Sequence, residues 1–261
     1  MSELDYQERF DGIRRLYGDT GAMAIRASHV CVIGIGGVGS WAVEALARSG
    51  VGTITLIDHD DIAASNTNRQ LHTLSNTLGQ QKTAVMAERV RGINPDCVLQ
   101  VFDTRIDEEN QVALLGQGYD YVIDAIDQVR PKAALLYYCK RNKIPVITTG
   151  GAGGMIDPTR IRISDLSRTE HDPLAAKLRQ TLRRDYGFSR NPQRRFGIDC
   201  VYSDEQPRFP ASDGGVCRGK PAASGVKLDC ASGYGSASFV TAGFGFAAVS
   251  RVVQKIVDKR Q

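Results

Sequence analysis

No CxxC pair occurs among the six cysteines of this 261-residue chain, Cys31, Cys97, Cys139, Cys200, Cys217 and Cys230. That absence excludes zinc-knuckle spacing and a thioredoxin-type dithiol. Cys31 lies in the apolar run HVCVIG, where a thiol acts as a small hydrophobe, and reduced cysteines in a cytoplasmic setting are the expectation. An excess of one charge is lacking too. Lys and Arg number 33 against 29 Asp and Glu, a formal net charge of +4, so the whole surface is not that of a general nucleic-acid binder. There is no low-complexity tract and no internal repeat. The opening MSELDYQERF is polar and acidic and lacks the apolar stretch of a secretory leader.

Long apolar runs are almost missing. Residues 230–250 carry no charge over about the length a membrane span needs, yet eight of these 21 residues are Gly or Ser and none is Leu or Ile. Phe239, Ala242, Phe246, Val249, Val253 and Ile256 recur at steps of three and four. That period predicts a packed C-terminal helix with one apolar stripe, not membrane contact.

What is present alternates. After a helical preamble over the first 28 residues, short apolar runs at 29–34, 53–58, 97–102, 119–127 and 145–150 read as strands. Helical patterns at 40–50, from about 80 to Pro95, at 107–117 and at 130–142 separate them. Strands and helices in this order predict an α/β fold, Rossmann-like, with a doubly wound and mainly parallel sheet. The pattern changes near residue 155. Residues 159–166 read as a strand, 172–186 as a basic helix, and 188–230, rich in Gly, Pro and Ser, as loops and irregular strands laid over the sheet. The expected division is a nucleotide-binding core at 1–155 and a substrate-facing region at 156–261, together one continuous domain closed by the C-terminal helix.

The chemistry begins at Gly34-x-Gly36-x-x-Gly39, a loop that lets backbone approach phosphates and opens a helix whose amides point at them. Asp58 closes the second strand 19 residues later, placed to accept from ribose hydroxyls. Both features fit NAD as well as ATP. Beyond them come Asn66, Arg69 and Gln70, then Lys82 opening the next helix in GQQK, then Asp127 after the fourth strand. All lie at the carboxyl ends of parallel strands or just beyond, where such folds bind ligands. NAD offers one pyrophosphate, for which two cations and a further carboxylate are an excess. A triphosphate under attack calls for that set: Arg69 and Lys82 for the leaving pyrophosphate, and Asp127 for Mg²⁺.

The segments GIGGVGSWAVEALARSGVGTITLIDHD, SNTNRQ and GQQKTAVMAERVRGINP resemble the superfamily of ubiquitin-activating enzymes and of the adenylyltransferases of molybdopterin and thiamine biosynthesis. The resemblance runs from about residue 9 to 150. It implies activation of a carboxylate as an acyl-adenylate, with Gly37 at the nucleotide and Asp58 at its ribose. Asn66, Arg69 and Lys82 would handle the phosphates and Asp127 the metal; a monovalent cation (Na⁺ or K⁺) and a homodimer are also implied. Three departures narrow it. The paired CxxC zinc ligands of sulfur-carrier adenylyltransferases are missing. The Asn that follows the metal-binding Asp is replaced by Gln128, and the N-terminal arginine falls on Gly12, with Arg9 or Arg14 as substitutes. RFDGIRRLYG, ITTGGAGG and FGIDCVYSDEQP resemble a short-chain branch that acts on a modified adenosine in tRNA and is linked with a cysteine-desulfurase sulfur relay.

A tRNA partner also has support in the residues themselves. Lys177, Arg179, Arg183, Arg184, Arg190, Arg194 and Arg195 stand within nineteen positions against one acid, Asp185, with Tyr186 and Phe188 interleaved as for base stacking. A solvated basic helix is the plainer account of the same run. Cys200, Cys217 and Cys230 lie in this half, but cyclisation of a tethered acyl-adenylate requires no thiol. Other readings are an adenylyltransferase for a sulfur-carrier protein, a nicotinamide-dependent oxidoreductase, and a nucleotide-binding adaptor without catalysis.

Overall fold

A computed structural model describes residues 2–211, 214–217 and 235–260. Its centre is a seven-stranded sheet of order β3-β2-β1-β4-β5-β7-β6. The strands are β1 (His29–Ile33), β2 (Thr53–Asp58), β3 (Val98–Asp103), β4 (Tyr121–Asp124), β5 (Val146–Thr149), β6 (Ile161–Asp165) and β7 (Asp199–Ser203). All pairings are parallel except β6 with β7. Alternate residues of β1 serve opposite faces, as a strand's period of two requires. Val30 and Val32 enter a core with α2 (Gly39–Arg48), α3 (Lys82–Ile93) and α7 (Ser238–Asp258). Cys31 and Ile33 enter a second core with α5 (Val129–Arg141) and α6 (Pro173–Asp185). Two further helices complete the layers: the 24-residue α1 (Glu3–Arg26), bent where Gly18 takes φ +71°, and the short α4 (Gln111–Leu115). A two-residue ladder, β8 (Phe209–Pro210) with β9 (Val216–Cys217), lies apart from the main sheet.

The parallel sheet and its helices are as the alternation predicts. One expectation is corrected in the second half. FGIDCVYSDEQP is not laid over the sheet, because its DCVYS is β7, inserted between β5 and β6. Cys200 and Val201 are fully buried on opposite faces of that strand. Flanking Gly, Pro and Asp residues conceal so short a strand from its sequence.

Helix α7 is long and apolar enough to cross a membrane by length and composition, but 61% of its most apolar window is buried within the fold. Val249, Val253 and Ile256 of the anticipated stripe go into the core beside Phe244 and Val252, and Ala242 is buried as well. Phe239 and Phe246 stay exposed at 56% and 47%, so most of the stripe is taken up within the chain rather than offered to a second copy.

Candidate nucleotide and phosphate site

Strands β1, β2 and β4 end side by side, and the loops leaving them meet. The glycine loop is shaped by two close approaches. Gly34 has φ +86° and sits against the Ala125 carbonyl, where a Cβ would be 2.9 Å from the oxygen. A Cβ on Gly39 would overlap the carbonyl oxygen of Gly34. Helix α2 follows at once, and no side chain caps its start at Val38, which leaves first-turn amides for a ligand. Asp58, buried at the end of β2, pins the loop: Ile35 N–H donates to its Oδ2 at 2.5 Å, and the amides of His59 and Asp60 donate to Oδ1 at 2.8 Å each. One lone pair of Oδ2 stays open to a ribose hydroxyl.

The residues expected to handle phosphates gather around this loop. Arg69 lies against it, with its Cγ 3.4 Å from where a Gly37 Cβ would be, and its guanidinium rests on the Ser65 carbonyl at 2.8 Å. The Arg69 carbonyl accepts from Trp41 Nε1 at 3.0 Å and Thr241 Oγ1 at 3.2 Å, so α2 and α7 together set its position. Asn66 accepts from the Ala63 amide at 3.3 Å and closes the short 3-10 turn before Arg69. Lys82 is buried and its Nζ is 2.7 Å from Asp60 Oδ2. Burial works against charge on Asp60, but the bond from Lys82 and its positive charge prevail and hold this carboxyl below the ordinary range. Asp127 is exposed just past Ala125 and Ile126, the residues that touch Gly34. Gly34, Gly36, Gly37, Gly39, Asp58, Asn66, Arg69, Lys82 and Asp127 thus occupy one edge of the sheet.

Several contributors escape a reading of the sequence. Asp60 is the ionic partner of Lys82. Arg105, two residues beyond β3, donates to Gln128 beside Asp127. His72 Nε2 donates to the Ile35 carbonyl at 2.8 Å while its Nδ1 is buried without a partner, which dictates the neutral ring; burial lowers its pKa. Beneath Asp127, fully buried Lys132 lies 2.9 Å from Asp124 Oδ2 and donates to the Ile126 carbonyl at 2.8 Å. Asp172 caps α6 and accepts from Gly151 N at 3.0 Å, and burial raises its pKa against the pull of those amides. Position beyond a strand end is the signal that would have found Arg105; a lysine inside the apolar run of α5 is the signal for Lys132.

Other expectations fare differently. Neither substitute for the N-terminal arginine is held at the glycine loop: Arg9 donates to the Ile93 carbonyl and Arg14 is bound by Asp11 and Asp19. Cys200 is fully buried and desolvation pushes its thiol upward, which unsuits it as a nucleophile. Cys230 lies outside the described residues. In the basic run, Arg179 donates to Thr169 Oγ1, Arg183 lies over the Phe196 ring at 5.4 Å, and Arg184 pairs with Asp185 at 2.6 Å. Lys177, Arg190, Arg194 and Arg195 are exposed. Tyr186 packs on Tyr137 and Phe188 on Phe196, each with centroids 4.9 Å apart, so these aromatics build the second core rather than a stacking surface.

A doubly wound sheet with a glycine loop, a buried acid at the end of β2 and two cations at one edge defines an α/β protein built to hold a nucleotide. The chain belongs to the ThiF family, whose model matches residues 10–258. It is 54% identical to the tRNA threonylcarbamoyladenosine dehydratase of Escherichia coli over 97% of this chain and 95% of that one. It is also 54% identical to the enzyme of that name from Haemophilus influenzae, over 100% and 98%. The E. coli enzyme in complex with ATP superposes with a TM-score of 0.87 at 49% identity, covering 99% of this chain and 97% of that one. A complex of the same enzyme with AMP matches equally well.

Proposed function

We propose that this protein is an ATP-dependent dehydratase of threonylcarbamoyladenosine in tRNA. The observation that carries the reading is 54% identity to two such enzymes along almost the whole length of all three chains. The site supports it. ATP, a substrate here, would lay its phosphates over the amides of the glycine loop and α2 and its ribose on Asp58. The threonine carboxylate of the modified nucleoside then attacks the α-phosphorus, and the bond to the β-phosphate oxygen breaks. Arg69 and Lys82 stabilise charge on the departing pyrophosphate. Lys82 exchanges Asp60 for phosphate without being moved from its buried seat. The carbamoyl nitrogen next attacks the acyl carbon and expels AMP, so the nucleoside loses the elements of one water. Proximity supplies this second step, since nucleophile and acyl group share one molecule.

Mg²⁺ suits the site, because Asp127 presents an exposed carboxylate at the lip of the loop; when bound, the ion supplies charge neutralisation at the phosphates. Asp58 suits it less, having both oxygens engaged by amides. Exposed Lys177, Arg190, Arg194 and Arg195 remain for contact with tRNA.

The test is pyrophosphate release from ATP with and without tRNA bearing threonylcarbamoyladenosine, coupled to mass spectrometry of the digested nucleosides. Release together with a nucleoside one water lighter is the expected result. Release with the nucleoside unchanged would redirect the adenylating chemistry to another carboxylate, such as the C-terminus of a carrier protein.

A further inference from the structure

A cavity of about 830 Å³ opens at the other edge of the sheet, away from the glycine loop. Strands β4, β5 and β7 begin at it, with Tyr121, Val146 and Asp199, and antiparallel β6 ends at it with Asp165. The four residues of β4 alone separate the two edges by about 10 Å. A nucleotide seated on Asp58 and the glycine loop does not occupy both.

The lining is strongly cationic. Lys140, Lys143, Arg168, Arg195, Arg251 and Lys255 converge on it from α5, the turn after it, the turn after β6, the loop before β7, and α7. Among the described residues two lining carboxylates oppose them, and both are committed. Asp165 accepts from the amides of Ser167, Phe196 and Gly197, and Asp199 lies 3.1 Å from Arg251 Nε. Two of the cations are held by unusual backbone. Lys143 has φ +56°, a left-handed position after a helix that glycine ordinarily takes. Gly197 has φ +69°, and a Cβ there would stand 2.5 Å from Lys140 Nζ, so the missing side chain makes the seat for that ammonium. Like charges on one concave wall repel each other unless an anion lies among them.

We infer that this trough binds backbone phosphates of the tRNA substrate at a distance from the nucleoside being modified, an inference that rests on the tRNA reading above. Its six cations come from five separate segments of the chain, a broad provision that suits a chain of phosphates. Arg168 also donates to the Gln193 carbonyl at 3.4 Å, which joins the trough to the loop carrying exposed Arg190 and Arg194. The basic surface therefore continues past the cavity, as a polynucleotide requires and a small anion does not.

The test uses the triple variant Lys143→Asn, Arg168→Gln, Lys255→Gln in the full chain, with unmodified tRNA transcript and inorganic tripolyphosphate as probes. Asn tolerates the left-handed backbone at 143, and thermal midpoint and ATP affinity, matching wild type, verify the fold. Weaker transcript binding is expected, by at least roughly tenfold at 0.1 M salt, with the log–log salt slope shallower by about one per lost contact. Unchanged affinity and slope, while wild type still converts modified tRNA, would overturn the inference and spare the function. Loss of tripolyphosphate binding alone would also overturn it, marking a small-anion site. A wild-type protein that neither binds nor converts tRNA would remove the function reading, and this inference with it.

Discussion

Gly39 has two constraints that a reader of GIGGVG can only partly see. The motif says that small residues let phosphates approach; the structure adds that a Cβ there would strike the Gly34 carbonyl inside the loop itself. Gly39→Ala must therefore distort the loop before any ligand arrives. ATP affinity measured by calorimetry should fall at least about tenfold, or about 1.4 kcal/mol, and wild-type affinity would show that the loop yields at no cost. Asp127 is the opposite kind of residue: exposed, so that its removal has no packing consequence. Asp127→Asn should lower turnover by roughly a hundredfold or more with the thermal midpoint unmoved. Normal turnover at low Mg²⁺ would take Asp127 out of the metal role.

At the scale of elements, legibility follows how local the signal is. Strands β1, β2, β4 and β5 are apolar runs bounded by turns, and the candidate residues at or beyond the carboxyl ends of β1, β2 and β4 could be picked out by position and residue type, their roles being what the resemblance implies. β7 was not legible, because DCVYS gains its identity from neighbours β5 and β6 that are distant in sequence. Tyr186 and Phe188 were misread for a related reason: charge next to aromatic looks the same whether the ring faces RNA or Tyr137. The buried ion pair joining α5 to β4 was only half legible, since Lys132 beside the apolar run of α5 hints at burial but does not name Asp124 as its partner. Its energetics give a sharp prediction. Lys132→Met leaves Asp124 buried without its cation and should destabilise by about 3–5 kcal/mol in urea unfolding. Adding Asp124→Asn should restore part of that loss, because the uncompensated charge is then gone. If the single variant costs under about 1 kcal/mol, Asp124 depends on Lys132 less than its burial implies.

For the whole molecule, stability against pH follows from groups whose titration differs between folded and unfolded chains. Burial lowers the pKa of His72 and of His29 below the ordinary 6.5. The unfolded chain then takes up protons from about pH 6.5 downward while the folded chain does not, so stability falls as pH drops through that window down to the folded values. Glu44 adds a later loss. Burial opposes its charge, but bonds from Arg89 and Arg48 prevail and hold it below 4.5, so its contribution disappears only as pH falls through that lowered value. Asp172 has the reverse sign: its raised pKa contributes stability below 3.8 that is lost as pH rises through the folded value. The first acid loss therefore belongs to histidine. Each unit separating folded from unfolded pKa contributes about 1.4 kcal/mol, and His72 holds the Ile35 carbonyl, within the loop pinned by Asp58. His72→Gln keeps a donor for that carbonyl and cannot titrate. Urea midpoints at pH 7.5 and 5.5 should show a smaller acid loss in the variant than in wild type, with ATP affinity following the same order. An equal loss in both proteins would place the acid sensitivity elsewhere, with His29 the next residue to replace.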